Sequence, residues 1–448
     1  MFSRTRTSVL AATAALALTA GLGLTVTGAH ASGSKPSGSS GPSGSTGPSD
    51  SSESSQGSAW TAAWAASPQR ASTGFKPNWS EDGFSGQTLR QVVRVTEGGD
   101  RARIRLSNAY GTSPLHIAGA TIARTKKGGG AAVESGSVRR LTFEGRRSVA
   151  IPAHGQLSSD QAGLDLKPFE SVTVTLHLAR TTGPATFHAQ SFATSYRADG
   201  NHVADAGAGA FDESTESWYF LSGVDVAGGG TGEKPRRSGG VVLFGDSTTD
   251  GFASSTDLDR RWSDALAERL AEAGTPRPVL NAGIGGNLVL NDSAWYGERG
   301  TARFGRDALD LPGVGTVVVL EGLNDIGFSE SDTPTYKPAP EVSAAELIAG
   351  HRELIRAAKE KGVRVVGATL LPLGGSDHYG ERAAKVSDEF NEWVRTSGEY
   401  DAYVDFDRAL ADSADGERMA PEYDSGDHLH PNDAGYRAMA RAVDLEQL

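Results

Sequence analysis

The 448-residue sequence contains no cysteine. Disulfides, cysteine-ligated zinc, thiol catalysis and a lipid-modified cysteine anchor are therefore excluded. The fold must be held by buried apolar surface alone, and a chain of this length has enough for more than one core. Positive charge is also in short supply. Lys and Arg number 43 against 55 Asp and Glu, a formal net charge of −12. That balance disfavours nucleic acid and anionic lipid as main partners, because both attract basic surfaces. Beyond residue 26 no apolar run is long enough to cross a bilayer.

Hydrophobic residues make up 38% and charged residues 22%, the balance of a folded globular protein. Residues 1–31 have the layout of a secretory signal: Arg4 and Arg6, an apolar stretch over 9–26, then Ala29-His30-Ala31 as a small-x-small cleavage site. The competing reading is an uncleaved anchor, since 18 apolar residues just span a membrane. Removal is the expectation. It takes the net charge to −14, places the protein outside the cell, and leaves no stable membrane insertion. Residues 32–57 are Ser, Gly and Pro with almost nothing apolar to bury, and are expected to form a disordered tether.

From 58 to 226 the pattern is β. Segments 89–95, 102–106 and 171–178 largely alternate apolar with polar residues, the mark of half-buried strands. Glu97-Gly98-Gly99-Asp100 and Lys127-Gly128-Gly129-Gly130 read as hairpin turns or loops. A β-sandwich of jelly-roll type is expected. Trp60, Trp64, Trp79 and Trp218 could stack on sugar rings, but core packing is the plainer reading. Residues 227–238 read as an interdomain linker.

The pattern changes over 239–448. Continuous apolar runs at 241–244, 279–282, 316–320, 363–369 and 402–404 alternate with amphipathic segments at 262–273, 343–361 and 383–396. Apolar strands separated by helices mean a parallel sheet covered on both faces, with its ligand crevice at the carboxyl ends of the strands.

The chemistry-bearing residues fall at those ends. Ser247 follows the first strand in Gly245-Asp246-Ser247-Thr248. A serine hydroxyl needs a base to become a nucleophile, and His430 in Asp427-His428-Leu429-His430-Pro431 is the candidate. Asp427 stands three residues before it, placed to hold the imidazole in the right tautomer. Asp424 and Asp433 lie nearby, but the three-residue offset favours Asp427. His428 lacks a carboxylate at that offset and reads as a loop histidine. Pro431 suits the first turn of a final helix reaching about residue 443. Donors for an oxyanion are available from the Ser247 N–H, from the glycine-rich 281–287 segment, and from the Asn324 amide in Gly322-Leu323-Asn324-Asp325. Asp246 and Asp325 read as loop buttresses that accept backbone N–H groups. No third His or carboxylate cluster has metal-ligand spacing, so no metal or cofactor is expected. Loops 328–340 and 373–379 are expected to set the width of the substrate pocket.

These residues carry a resemblance. Segment 239–448 resembles the SGNH hydrolases, or GDSL esterase/lipase family. Gly245-Asp246-Ser247 matches the first block, Gly286 the second-block glycine, Asn324 the third, and Asp427 with His430 the fifth. Thr248 stands where the family name has Leu. The resemblance implies a three-layer α/β/α, flavodoxin-like fold and metal-independent ester hydrolysis through an acyl-enzyme. Its catalytic residues would be Ser247, His430 and Asp427, and its oxyanion hole Ser247, Gly286 and Asn324. The β region, with Thr88-Leu89-Arg90 and Arg105-Leu106-Ser107-Asn108, is similar to one preceding the catalytic domain in a secreted bacterial subgroup of carbohydrate esterases and arylesterases. Short acetyl esters on polysaccharide are the expected substrate. The alternatives are a secreted lipase or phospholipase and, in another class, a carbohydrate-binding protein with an inactive hydrolase-like domain.

Overall fold

Alternating apolar residues build the first half of the molecule into two large antiparallel sheets, with two further two-stranded pairs, Leu115–Ile117 with Val149–Ile151 and Phe187–His188 with Trp218–Tyr219. The computed structural model describes residues 60–128, 130–228 and 239–448. The expected signal (1–31) and tether (32–57) lie outside the described residues. So does the expected linker, except Ala227 and Gly228.

One sheet runs Thr61–Ala65, Leu221–Ala227, Gly99–Ser107, Gln156–Ser158, with Ala162–Leu166 also paired to Gly99–Ser107. The other runs Glu213–Thr215, Ser195–Asp199, Gln87–Arg94, Ser171–Leu178, Gly119–Arg124, Arg139–Leu141. Their inner faces share one core containing Leu89, Ile104, Leu106, Val174 and Leu176. Trp64, Trp79 and Trp218 are buried in that core rather than displayed to a ligand. The turn at 97–100 is not a hairpin. It carries the chain from one sheet to the other, because Gln87–Arg94 and Gly99–Ser107 pair with different partners. The outer face of the second sheet is drier than simple alternation predicts. Thr88, Arg90, Thr173 and Thr175 are buried there. The buried Arg90 guanidinium donates to the carbonyls of Ala131, Asp205 and Gly207, so loop backbone covers that face and its polar groups are satisfied.

The second half is a five-stranded parallel sheet in the order Val279–Gly283, Gly240–Gly245, Val314–Leu320, Arg364–Ala368, Ala402–Val404. Both faces are covered. Helices Ala344–Glu360 and Glu381–Thr396 bury Leu347, Leu354, Phe390 and Val394 on one side. Helices Trp262–Glu272 and Asp433–Ala442 bury Trp262, Leu266, Tyr436 and Met439 on the other. This is the expected α/β/α layering. Ser343 and Glu346 form a capping box that starts the longest of these helices. The last helix begins later than expected. Asn432 accepts from the N–H groups of Ala434 and Gly435 and is the N-cap, so Pro431 precedes the helix instead of opening it.

Residues Gly57–Leu448 form one compact unit. Ala62 and Ala65, from the first sandwich strand, are buried in the same cluster as Val242 and Phe244 of the parallel sheet. Among the described residues no helix is long and apolar enough to cross a membrane.

Candidate active site

The strand Gly240–Gly245 ends in a tight turn into the four-residue helix Ser247–Asp250. Asp246 caps that helix, its carboxylate accepting from Thr248 N–H at 3.0 Å. As the first helical residue, Ser247 has a backbone N–H without an intrahelical partner. Its hydroxyl stands 2.8 Å from His430 Nε2. On the far side of the ring, His430 Nδ1 is 2.6 Å from Asp427 Oδ2. Asp427 Oδ1 accepts from the N–H groups of Leu429 (3.0 Å) and His430 (2.8 Å) and from the Ser425 hydroxyl (3.1 Å). Burial would raise the Asp427 carboxyl, but the His430 contact and these backbone donors overrule it and hold it well below the usual carboxylate range. Phe252 packs on the His430 ring with centroids 4.3 Å apart. His428, half-exposed, turns away to Asp424 at 2.6 Å.

The two strands that flank Gly240–Gly245 end beside this triad. Gly286, after strand Val279–Gly283, has φ +73°, and a Cβ there would sit 2.4 Å from the Tyr296 ring. Only glycine fits both the backbone and the space. Asn324 is the second residue of the short helix Leu323–Gly327 that follows strand Val314–Leu320. Its Nδ2 donates to Asn287 O at 2.9 Å, and its Oδ1 lies 3.1 Å from His378 Nε2. Asp325, beside it, accepts from Val289 N–H (2.8 Å) and Leu290 N–H (3.0 Å). Burial raises the Asp325 carboxyl to about 7 against those donors. Asp246 and Asp325 thus act on loops, as their positions suggested. All five sequence-predicted site residues, Ser247, Gly286, Asn324, Asp427 and His430, are gathered at the carboxyl end of the sheet.

Several groups at this site have no motif to announce them. Arg303, fully buried, donates to Gly245 O and Ala282 O at 2.8 Å and to Asn287 Oδ1 at 2.7 Å, tying the first two strand ends together. His188, from the β-sandwich, places Nε2 3.0 Å from Asp250 Oδ1, while Asp250 Oδ2 accepts from Gly285 N–H at 2.9 Å. Phe75 of the sandwich packs on Tyr296 and Phe252. The loop 373–379 contributes Asp377 and His378. Among the described residues no group of three or more His, Asp or Glu is arranged to hold a metal ion.

Residues 243–438 match the model of the GDSL-like Lipase/Acylhydrolase family. The α/β domain belongs to that family. It is a GDSL/SGNH-type carboxylic ester hydrolase domain, the class to which a serine–histidine–aspartate array at a strand end is suited. No curated protein matches the chain. Similar solved structures include a protein of the G-D-S-L family from Desulfitobacterium hafniense DCB-2 (20% identity, TM-score 0.34, covering 45% of this chain and 98% of that one). An acetylxylan esterase from Geobacillus stearothermophilus is 22% identical, with a TM-score of 0.35, over 46% of this chain and 91% of its own. An α/β hydrolase from the metagenome of Lake Arreo is 20% identical, with a TM-score of 0.35, over 46% and 92%. In each case the covered share of this chain is under half.

Proposed function

We propose that the protein is a secreted serine esterase that cleaves short acyl esters of carbohydrate, chiefly acetyl esters, through an acyl-enzyme. The observation that carries this reading is the 2.8 Å contact of Ser247 Oγ with His430 Nε2, continued at 2.6 Å to Asp427. As Ser247 Oγ attacks the ester carbonyl, its proton passes to His430 Nε2. Asp427 holds Nδ1–H and stabilises the imidazolium that forms. The carbonyl oxygen becomes an oxyanion met by the Ser247 N–H, the Gly286 N–H and the second Asn324 amide hydrogen. Collapse expels the alcohol, which takes the proton from Nε2. Water then gives a proton to Nε2 and attacks the acyl carbon, and Ser247 leaves with that proton as the acid departs.

Leu288, Tyr296 and Phe328 form a buried apolar cluster whose Tyr296 ring lies against Gly286, and an apolar wall that close to the glycine supports a small acyl group over a long chain. Phe75, 41% exposed where it packs on Tyr296 and Phe252, offers an aromatic face to a sugar ring. An acidic protein bearing a secretory segment suits a neutral polymer outside the cell. The test is hydrolysis of p-nitrophenyl acetate, octanoate and palmitate, and of acetylated xylan, by the mature chain and by Ser247→Ala. Acetate should be preferred, acetylated xylan deacetylated, and all activity lost in the variant. Hydrolysis by Ser247→Ala at the wild-type rate overturns the mechanism, and a preference for palmitate favours a lipase.

A further inference from the structure

We propose that His378, held by Asp377, is a positioning residue that fixes the Asn324 amide with a hydrogen facing the oxyanion. The inference rests on the esterase reading and adds a residue to its machinery. A side-chain amide has two nearly isosteric orientations, and its terminal torsion is broad and roughly two-fold. An asparagine left to itself would present oxygen to the oxyanion for part of the time, and oxygen repels it.

Here both ends of the amide are claimed. Nδ2 donates to Asn287 O at 2.9 Å, and Oδ1 faces His378 Nε2 at 3.1 Å. Turning the amide over would set its oxygen against a carbonyl oxygen and its hydrogens against the imidazole N–H, two repulsive contacts in place of two bonds. The remaining Nδ2 hydrogen is then the one free to meet developing charge.

The imidazole is itself immobilised. Its Nδ1 lies 2.7 Å from Asp377 Oδ1, whose partner oxygen accepts from the Tyr336 hydroxyl at 3.2 Å. The ring lies against the Asn324 turn so closely that a Cβ on Gly327 would be 2.2 Å from its Cδ2. Phe328 and Tyr336 present edges to it at 5.5 and 5.7 Å. His378 is buried and Asp377 is largely exposed. Asp377 and Asn324 thus meet two edges of one ring, Nδ1 facing a carboxylate oxygen and Nε2 the amide oxygen, so the fixed ring holds the amide in register. Such chained bonds also polarise the amide, strengthening its remaining N–H as a donor. The arrangement repeats the Asp427–His430 pair with a different output: one histidine moves a proton, while the other points an amide.

The test is steady-state kinetics on p-nitrophenyl acetate with the full chain. Asn324→Ala should cost about 10²–10³-fold in kcat, the usual loss for one oxyanion donor. His378→Ala should cost about 10–10²-fold in kcat with KM within about two-fold, since the ground-state ester does not use the donor. His378→Gln, which can place an N–H near the Nε2 position, should recover most of that loss. In the Asn324→Ala background, His378→Ala should add little, as expected of residues acting through one group. A packing role would instead lower the melting temperature, multiply with Asn324→Ala, and resist rescue by Gln. An unchanged kcat in His378→Ala, or losses that multiply, overturns the proposal. Should His378→Ala not fold, the exposed Asp377→Asn decides, with a several-fold kcat loss expected and wild-type kcat refuting. Loss of activity in Ser247→Ala keeps this outcome separate from failure of the esterase reading.

Discussion

Replacing His188 with alanine should weaken the fold and the oxyanion turn together. His188 is buried in the sandwich, stacked on Trp218 with centroids 5.4 Å apart. Its Nδ1 faces Ser67 O and its Nε2 faces Asp250 Oδ1, both at 3.0 Å. Without the ring, the buried Asp250 carboxylate keeps, among the described residues, only the Gly285 N–H at 2.9 Å. Breaking a buried charged pair from one side costs about 3–5 kcal/mol. Unfolding entropy is about 2.1 cal/mol/K per residue, which over Gly57–Leu448 is about 0.8 kcal/mol/K. The expected fall in Tm is therefore about 4–6 °C, read by calorimetry at pH 7. The pH dependence gives an independent check. Burial pushes the His188 imidazole down, but Asp250 and Ser67 O outweigh it and the net shift is upward. A group raised in the folded state contributes fully below its unfolded pKa of about 6.5 and loses that contribution as pH rises through the folded value. The stability gap between wild type and His188→Ala should thus narrow in alkali. A Tm change under about 1 °C, or a gap that widens with pH, would refute the reasoning.

Asp427→Asn should lower kcat by about 10³–10⁴-fold with little change in KM, because an amide at that position cannot hold Nδ1–H and favours the wrong tautomer. Kinetics on p-nitrophenyl acetate check this, and a loss below ten-fold would contradict the role given to Asp427. Asp246→Asn should stabilise the protein in alkali. Burial, with Glu321 adding, pushes the Asp246 carboxyl up to about 8, so stability drains away as pH rises from near 4 through 8. Asparagine keeps an acceptor for Thr248 N–H and does not titrate, so urea titrations at pH 5 and 9 should differ less for the variant than for wild type.

The layered α/β fold was legible because its strands are short unbroken apolar runs and its helices carry a clear 3.6 period. The serine, histidine and aspartate were legible for another reason. Asp427 and His430 are three residues apart, so local backbone alone brings them into contact. Gly286 and Asn324 needed the order of four blocks to stand out, since a glycine or asparagine after a strand is ordinary by itself. The supporting residues left no such trace. His188 and Asp250 lie 62 positions apart, and His378 and Asn324 lie 54 apart. Each pair is made only when two separate chain segments pack, and no local pattern encodes that distance. The same holds for the outer face of the second sandwich sheet, where buried Thr and Arg look like solvent-facing residues until a loop covers them.

The contacts between the two halves argue that the sandwich is part of the enzyme rather than a tethered accessory. Val279 begins the edge strand of the parallel sheet, where backbone groups would otherwise face water or another chain. Thr96 of the sandwich covers that edge, its hydroxyl accepting from Val279 N–H at 3.1 Å and lying 3.0 Å from Val279 O. Arg94 reaches Glu268 at 2.8 Å, and the Tyr110 hydroxyl donates to Glu298 at 2.8 Å. Ala62 and Ala65 fill part of the α/β core itself. A chain starting at residue 239 loses all of these, and it loses the His188 contact that anchors Asp250 beneath Gly285. Such a fragment should melt well below the full chain. Where it does fold, kcat on p-nitrophenyl acetate should fall by about 10²-fold, the cost of roughly 1 Å of misplacement at a reacting centre. A fragment with wild-type Tm and kcat would show that the sandwich is dispensable, and that the contacts at Thr96, Arg94 and His188 join two bodies without shaping the site between them.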